Sequence, residues 1–390
     1  MTILLHDGRR NGHLSWLKDA LAEGVADGAI LSPFTTPPTP IPRNPSASDV
    51  VTQLRENVPL FNPDPEILFD STTWAATLPG TDQWDFYDQW PLWPHHGRGD
   101  LSDAGAIADH VRAVFAIQAG LGVPYLAPTV CVSSPIGPEA ELARDLAAES
   151  KRQQPKSILT ISGTNSFWRA GPTLDTYIGR LARLRAPAFY IVPVRDRTAY
   201  PTDLTDPDAI AGWLRTIRSL TIRSRVIAAY TDHLGIVSAV AGADTVGTGW
   251  DQGQRTCSPE SFRGTEGCGK NVNYSPHPGL LARFTVTAAR ALQDLAPTFS
   301  EAMRWDAPIP NDMRQHRIQH LGFLQEQMRT VLVSKLHADR VAIVQRMFTG
   351  AALAWEHTVA LGSQEVGRKQ QTAWLDGLRS GFDTYVRAER

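Results

Sequence analysis

Three aspartates stand at the ends of short apolar runs, where a buried segment would deliver a carboxylate to a pocket. Asp70 directly follows Ile-Leu-Phe, Asp7 ends the first apolar segment, and Asp232 follows Ile-Ala-Ala-Tyr-Thr. Removal from water raises the pKa of a carboxyl group and suits it to proton transfer at neutral pH. Two such groups can also divide the roles of acid, base and nucleophile, as in glycosyl transfer. We therefore predict all three as catalytic residues, with Asp70 the strongest candidate.

Polar and aromatic residues at the ends of the apolar runs form the candidate substrate-binding set. Small-molecule pockets combine a few convergent polar groups with apolar walls. Trp74, Trp84 and Trp90 would form such a wall, since aromatic faces stack on bases and sugars. The predicted set comprises Arg9, Ser71, Trp74, Ser162, Asn165, Arg195, Tyr230, His233, Gly247, Gly249, Trp250 and Asp251. In the competing, structural interpretation the aspartates cap helices or pair with Arg9 and Arg195.

Eight short apolar runs alternate along the chain with segments of helical spacing, a pattern typical of buried parallel strands joined by helices. The predicted strands are Thr2–Asp7, Gly28–Pro33, Glu66–Ser71, Ala127–Val132, Ser157–Gly163, Ala188–Val194, Arg225–Tyr230 and Asp244–Thr248. This order predicts an α/β protein, a (β/α)8 TIM-type barrel whose chemistry lies at the carboxyl ends of the strands. An open doubly wound sheet is the competing layout, because alternation alone does not prove closure.

Two long segments leave the carboxyl ends of the third and eighth strands. Residues 70–100 are rich in tryptophan and predict a lid or a pocket wall, whereas residues 250–279 are rich in glycine and polar residues. Long loops on this face of a barrel often carry function. A helix over Gly279–Leu295 is predicted to complete the barrel.

Strand signals stop near residue 299. Helical stripes predict helices over Met313–Lys335, His337–Ala360 and Glu365–Arg387. We therefore predict a barrel over residues 1–298 and a helical C-terminal extension over residues 299–390. The extension would either pack on the barrel as a helical appendage or join copies of the chain in a homo-oligomer through its apolar stripes.

Two segments, ILFDSTTW with Asp70 and GADTVGTGWDQGQR with Arg255, carry a family resemblance. Taken in order, they resemble segments of the tRNA-guanine transglycosylase family, which are barrels. The resemblance implies that Asp70 serves a base exchange. The family's nucleophilic aspartate would fall near Gly247, and its zinc site of three cysteines and a histidine has no counterpart here. Of the family's functional residues, the resemblance therefore implies a role for Asp70 alone.

Charge and composition narrow the classes of partner. The 38 Lys and Arg against 40 Asp and Glu give a formal net charge of −2, which provides no bulk attraction to nucleic acid or to an anionic membrane. Nucleic acid bound by a local basic patch is left open as a partner. The N-terminus lacks the pattern of a signal peptide, and no apolar stretch is long enough to span a membrane. Three cysteines are too few for a disulfide framework. We predict a cytoplasmic protein without a membrane partner.

The sequence predicts no cofactor. It has no HExxH motif for zinc, no GxGxxG motif for a dinucleotide, and no lysine at a strand end for a Schiff base. A metal ion is left open as an alternative. Its ligands would be His6, Asp7, Asp232 and His233, or Cys257, Cys268 and His277 in the second long segment.

Three functions follow from these residues. The first is an enzyme acting on a small molecule or nucleobase at a glycosidic or nucleobase centre, with Asp70 as acid, base or nucleophile. The second is a non-catalytic barrel that serves as a binding or assembly subunit. The third is a metal-dependent hydrolase.

Overall fold

A computed structural model describes the chain except for residues 9–12, 42–43, 57–61, 63, 82–85, 95–96, 197–203, 263–272, 296–307, 362–365 and 390. Eight parallel strands form one sheet, in the order β3-β2-β1-β8-β7-β6-β5-β4. They are β1 Thr2–His6, β2 Gly28–Leu31, β3 Glu66–Phe69, β4 Cys131–Val132, β5 Leu159–Thr164, β6 Ala188–Val194, β7 Arg225–Ala228 and β8 Thr245–Gly249. Each overlaps a predicted strand, because apolar runs buried on both faces mark parallel strands clearly.

Helices cover the sheet between successive strands. Through the eighth strand they are α1 His13–Ala22, α2 Ala47–Glu56, α3 Phe86–Gln89, α4 Ala104–Leu121, α5 Pro138–Gln153, α6 Asn165–Trp168, α7 Pro172–Ala182, α8 Pro207–Leu220 and α9 Leu234–Ala241. Beyond it lie α10 Gln252–Arg255, α11 Val286–Leu295, α12 Met313–Leu332, α13 His337–Ala360, α14 Arg368–Gln371 and α15 Gly377–Ala388. A π-helical turn, Thr372–Asp376, joins α14 to α15.

The two edges of the sheet meet where the carboxyl end of β3 approaches the segment that leads into β4. The Gln118 side chain on α4 donates to the carbonyls of Phe69 (3.1 Å) and Leu126 (2.9 Å) and accepts from the Leu126 N–H (3.0 Å). In a flat sheet these edges would be about 34 Å apart, at seven strand spacings of about 4.8 Å. The sheet is therefore closed, and the (β/α)8 barrel is confirmed over the open sheet.

An ion pair crosses the opposite end of the barrel, where the strands begin. Arg225, the first residue of β7, donates from both terminal nitrogens to Glu66, the first residue of β3, at 2.7 and 2.6 Å. These strands lie on opposite sides of the closed sheet. The bidentate pair consequently ties the two halves of the barrel floor together.

Both long segments contain secondary structure that the sequence did not predict. Residues 70–100 include the 3₁₀ turn Thr73–Thr77 and α3. Residues 250–279 include α10 and β9 Tyr274–His277, and β9 forms an antiparallel hairpin with β10 Ala282–Thr285, which lies within the predicted helix Gly279–Leu295.

The predicted helix Gly279–Leu295 is wrong at its start, since α11 begins at Val286. Pro278 restricts the preceding backbone, and Leu281 is left-handed, with a φ of 47°. Both features oppose a helix and close the turn of the hairpin instead.

The C-terminal helices pack on the barrel and on the hairpin. Trp355 of α13 donates its indole N–H to the Leu280 carbonyl (2.9 Å), and Gln325 of α12 donates to the Gly24 carbonyl (2.8 Å). The division at residue 298 stays a prediction, because the boundary falls in residues 296–307, outside the described part. Among the helices described, none is long and apolar enough to cross a membrane.

Candidate functional site

Asp70 lies at the carboxyl end of β3 and is 3% exposed. Its carboxylate accepts the backbone N–H of Thr72 (2.8 Å), the indole N–H of Trp74 (3.2 Å to either oxygen) and the hydroxyl of Tyr190 (3.0 Å). Thr72 and Trp74 belong to the turn that follows β3, whereas Tyr190 stands in β6, three strands away. The bond from Tyr190 therefore crosses the interior of the barrel.

The groups that hold the Asp70 carboxylate are electrically neutral. Burial raises the pKa of Asp70, and the hydrogen bonds from Thr72, Trp74 and Tyr190 offset only part of this effect. A carboxyl group with a raised pKa exchanges a proton more readily near neutral pH. That property suits it to general acid–base chemistry.

Aromatic residues surround this carboxylate. Burial raises the pKa values of Tyr87, Tyr190 and Tyr230 well above the ordinary value, and the charge of Asp70 adds to each shift. The three hydroxyls consequently stay protonated at neutral pH. The Trp74 ring meets the Tyr230 ring edge-on, with centroids 6.1 Å apart.

Two residues beside Asp70 have left-handed backbone conformations. Thr72 has a φ of 57° and Tyr230 a φ of 50°, and the described residues include two other non-glycine residues of this kind. Such a conformation costs about 1–2 kcal/mol for a residue with a side chain. Strain of this kind clusters at functional sites, where it directs side chains, and here it flanks a buried carboxylate.

His6 and Asp7 point in opposite directions, because side chains alternate along a strand. The His6 ring stacks on Tyr230 at 3.8 Å, and its Nε2 accepts the Tyr230 N–H at 3.2 Å. Burial lowers the pKa of His6 to about 3, so its ring is neutral. Asp7 bonds the N–H of Gly8 and the Thr35 side chain, and burial raises its pKa to about 6. His6 thus belongs to the aromatic surroundings of the site, and the described contacts of Asp7 lie elsewhere.

Asp232 and His233 belong to a second buried cluster, beneath α12. Oδ1 of Asp232 lies 2.6 Å from Nε2 of His320 and 3.7 Å from Nδ1 of His233, and Oδ2 lies 3.6 Å from Arg283 of β10. Burial opposes the charge of Asp232, but His320, His233 and Arg255 outweigh burial and hold its pKa well below the ordinary value. Asp232 is therefore ionised at neutral pH. None of its described contacts involves Asp70.

Gly247 lies where the resemblance would place a nucleophilic aspartate. A Cβ atom built there would lie 2.8 Å from Nε2 of His6 and 3.0 Å from Cδ1 of Ile30. A side chain therefore has no room unless its neighbours move. The Gly247 carbonyl accepts both the N–H (2.7 Å) and the hydroxyl (3.1 Å) of Thr231.

Gly249, Trp250 and Asp251 form the turn into α10. Arg255 donates to the carbonyls of Gly249 (2.7 Å) and Trp250 (2.9 Å), and Gln254 accepts the N–H groups of Trp250 and Asp251. The polar groups of this turn are thus largely paired within the chain. Their predicted substrate contacts stay a prediction.

The remaining predicted residues lie near the ends of β3, β5 and β6. Arg195 is buried and donates to Asn165 at 2.8 Å. Ser162 lies beside Cys131, whose pKa burial raises to about 12, and Ser71 is buried directly after Asp70. Arg9 is outside the described residues.

Of the tryptophans predicted to form a wall, Trp74 contacts Asp70. Trp90 is 7% exposed and packs on Phe69, with ring centroids 5.0 Å apart. Trp84 lies outside the described residues. The described rings are packed into the core rather than presented to an open pocket.

No group of three or more His, Cys, Asp or Glu residues in the described part has the arrangement of a metal site. Cys257 is fully buried, and burial raises its pKa well above the ordinary value. Cys268 falls outside the described residues, so the predicted set of Cys257, Cys268 and His277 stays a prediction.

Sequence reasoning missed Tyr190 and His320, which reach the two buried carboxylates from distant elements. Tyr190 stands inside the apolar run Ala-Phe-Tyr-Ile-Val-Pro-Val. A buried tyrosine hydroxyl usually finds a partner, so this residue was a detectable signal. His320 lies between apolar positions of a helix, and nothing local distinguishes it.

No family model matches the chain, and no curated protein matches it. Among solved structures, the chain is similar to the catalytic domain of a hyperthermophilic chitinase from Pyrococcus furiosus, at 12% identity and a TM-score of 0.39. The match covers 84% of this chain and 95% of that chain. A similarity this low supports no conclusion about activity. The resemblance to tRNA-guanine transglycosylases stays a prediction that depends on the two sequence segments.

Proposed function

We propose that the chain is a barrel enzyme that acts at a glycosidic or nucleobase centre, with Asp70 as its acid–base group. The main support for this function is the environment of the Asp70 carboxyl group. This group is 3% exposed at the carboxyl end of a barrel strand, its partners are neutral, and burial raises its pKa. Catalytic groups of barrel enzymes come from this end of the strands.

The surrounding residues favour a substrate with a flat or polyhydroxylated ring. Trp74, Tyr87, Tyr230 and the neutral His6 supply rings and hydroxyls around one carboxyl group. Aromatic faces bind sugars and bases through stacking, and tyrosine hydroxyls donate to their oxygens. Because Asp70 is covered, a substrate reaches it only when the turn after β3 moves.

The proposal assigns the other residues by their position. Ser71, Ser162, Asn165 and Arg195 would bind the substrate from neighbouring strand ends. Asp7 follows β1 and has a pKa raised to about 6, and it would be a second carboxyl group for the reaction although its described contacts lie away from Asp70. Asp232 is not included, because its pKa is held low in the separate cluster beneath α12.

The first test measures turnover of aryl glycosides and nucleosides by chromatography of the released aglycone or base. Replacing Asp70 by Asn should lower turnover about 100-fold or more, the usual contribution of an acid–base group. Replacing the exposed Asp64 by Asn is the matched control and should leave turnover unchanged. Full activity in the Asp70→Asn variant would overturn the assignment.

A second test needs no substrate. The carboxyl band of Asp70, isolated as the infrared difference between the wild type and Asp70→Asn, should titrate above the ordinary range for aspartate. Titration at or below that range would remove Asp70 as an acid near neutral pH.

One observation favours the second candidate, a non-catalytic barrel that binds or assembles. Both oxygens of Asp70 already accept hydrogen bonds from Thr72, Trp74 and Tyr190, so the carboxylate is satisfied without a substrate. In that case Asp70 holds the turn after β3 in place. Asp70→Asn would then lower the melting temperature strongly and affect no reaction.

A further inference from the structure

A groove on the barrel surface, between α4 and α5, has an aliphatic floor and an acidic rim. Its volume is about 650 Å³. The floor is formed by Leu101, Ile107 and Leu142, and the rim by Asp103, Glu141 and Asp145. Glu149 and Arg152, which also line it, pair at 2.6 Å and cancel in charge. The rim therefore carries the negative charges of Asp103, Glu141 and Asp145, for which the described residues show no ion pair.

The turn between α12 and α13 has the complementary character. Val333 is 83% exposed and Leu336 is 67% exposed, which is unusual for large aliphatic side chains. Arg329 and Lys335 are exposed beside them. We call residues 329–336 the tip. Removing these two aliphatic side chains from water is favourable, so contact with another apolar surface would stabilise the tip.

The tip and the groove lie on different sides of the barrel. His337, directly after the tip, bonds the carbonyl of Val240 at the end of α9, between β7 and β8. The groove lies on α4 and α5, which flank β4. The two surfaces of one chain therefore face apart, and a contact between them must join two copies.

We propose that the tip of one copy docks in the groove of a second copy, head to tail. Val333 and Leu336 would cover the aliphatic floor, while Arg329 and Lys335 would face the acidic rim. The contact is small, and interfaces below about 1,200 Å² are typical of weak and transient association. Because the tip and the groove face apart on each chain, two copies cannot form both contacts with each other, and the assembly grows into rings or filaments rather than stopping at a symmetric dimer. This inference does not depend on the proposed activity.

Sedimentation velocity of the full chain, from low to high micromolar concentration, tests the association. The average mass should rise with concentration, and high salt should reduce the rise because the charges on rim and tip are exposed. If the chain stays monomeric at every concentration in low salt, the proposal is wrong. The groove then binds another protein or has no partner.

Charge reversal identifies the surfaces. The double variant Glu141→Lys/Asp145→Lys and the double variant Arg329→Glu/Lys335→Glu should each lose self-association by about tenfold or more, since like charges now face each other. A mixture of the two variants should associate again, because each basic surface then meets an acidic one.

The matched control for the groove variant is Glu56→Lys/Asp64→Lys, which makes the same change in charge at exposed positions away from both surfaces. It should associate like the wild type. Melting temperatures of all variants establish that they are folded. Unchanged association in either single-surface variant, or no association in the mixture, would refute docking of the tip in the groove.

Discussion

Replacing Gln118 tests whether one side chain holds the barrel closed. Gln118 is fully buried on α4, and it bonds the Phe69 carbonyl on one side of the seam and the Leu126 carbonyl and N–H on the other. The described residues show no ladder between β3 and β4 at this seam. Gln118→Ala removes all three hydrogen bonds and leaves three backbone groups buried without a partner.

The expected cost follows from these three groups. An unsatisfied buried donor or acceptor costs about 1–3 kcal/mol, so three of them should lower the free energy of unfolding by about 3–9 kcal/mol. Domains are stable by about 5–15 kcal/mol in total, so this is a large fraction. Gln118→Leu keeps most of the volume and should lose a similar amount if the hydrogen bonds dominate over the cavity.

Urea denaturation, followed by circular dichroism and tryptophan fluorescence, measures these losses. Hydrogen exchange should also accelerate at the Leu126 amide, because that group loses its acceptor. Gln153→Ala is the control: this half-buried glutamine donates to the Ala108 carbonyl (2.9 Å) and to the Glu149 carboxylate (2.7 Å), and its loss should cost about 1–2 kcal/mol. A Gln118→Ala loss no larger than that of the control would refute the role of Gln118 in closure.

Three further changes probe the site. Gly247→Ala should lower the free energy of unfolding by about 1–3 kcal/mol in urea denaturation, because the new Cβ would lie 2.8 Å from Nε2 of His6. An unchanged midpoint of the urea transition would contradict this. Burial raises the pKa of Asp7 to about 6, so the cost of ionising it in the folded chain develops between about pH 4 and pH 6 and persists above pH 6. Asp7→Asn should therefore stabilise the chain by up to about 3 kcal/mol at pH 7 and hardly at pH 4, and a gain independent of pH would exclude this cause. Tyr190→Phe should raise the pKa of Asp70 further, since it removes a donor to the carboxylate, and an unchanged infrared titration of Asp70 would count against this contact.

The barrel could be predicted because its signals are local. The predicted and observed bounds agree for β6 and α13, where a run of apolar residues or a long helical stripe dominates. Prediction failed at Tyr274–Thr285, where the strands pair only with each other and are too short for a periodic pattern. Closure of the sheet was also beyond the sequence, because it depends on side-chain hydrogen bonds of Gln118 and Thr73 between segments that are distant along the chain.

The positions of the two buried aspartates could be predicted from the sequence, but the directions of their pKa shifts could not. Asp70 and Asp232 carry the same local signal, a carboxylate after a buried strand, yet burial raises the pKa of Asp70 while the pKa of Asp232 is held low. The difference comes from residues far along the chain. Tyr190 is 120 residues from Asp70 and neutral, whereas His320 is 88 residues from Asp232 and lies with two arginines in the same cluster.

The carboxyl end of a barrel strand therefore determines where a carboxyl group lies. Whether that group is ionised depends on the elements packed above it. Over Asp232, α12 and β10 bring the positive charge of Arg283 and the ring of His320, and these groups favour the ionised form. Over Asp70, the turn after β3 brings an indole and a backbone N–H, which donate hydrogen bonds but carry no charge. Of the two carboxyl groups, Asp70 is consequently the one placed to exchange a proton, and a proton exchanged there is the step on which the proposed function depends.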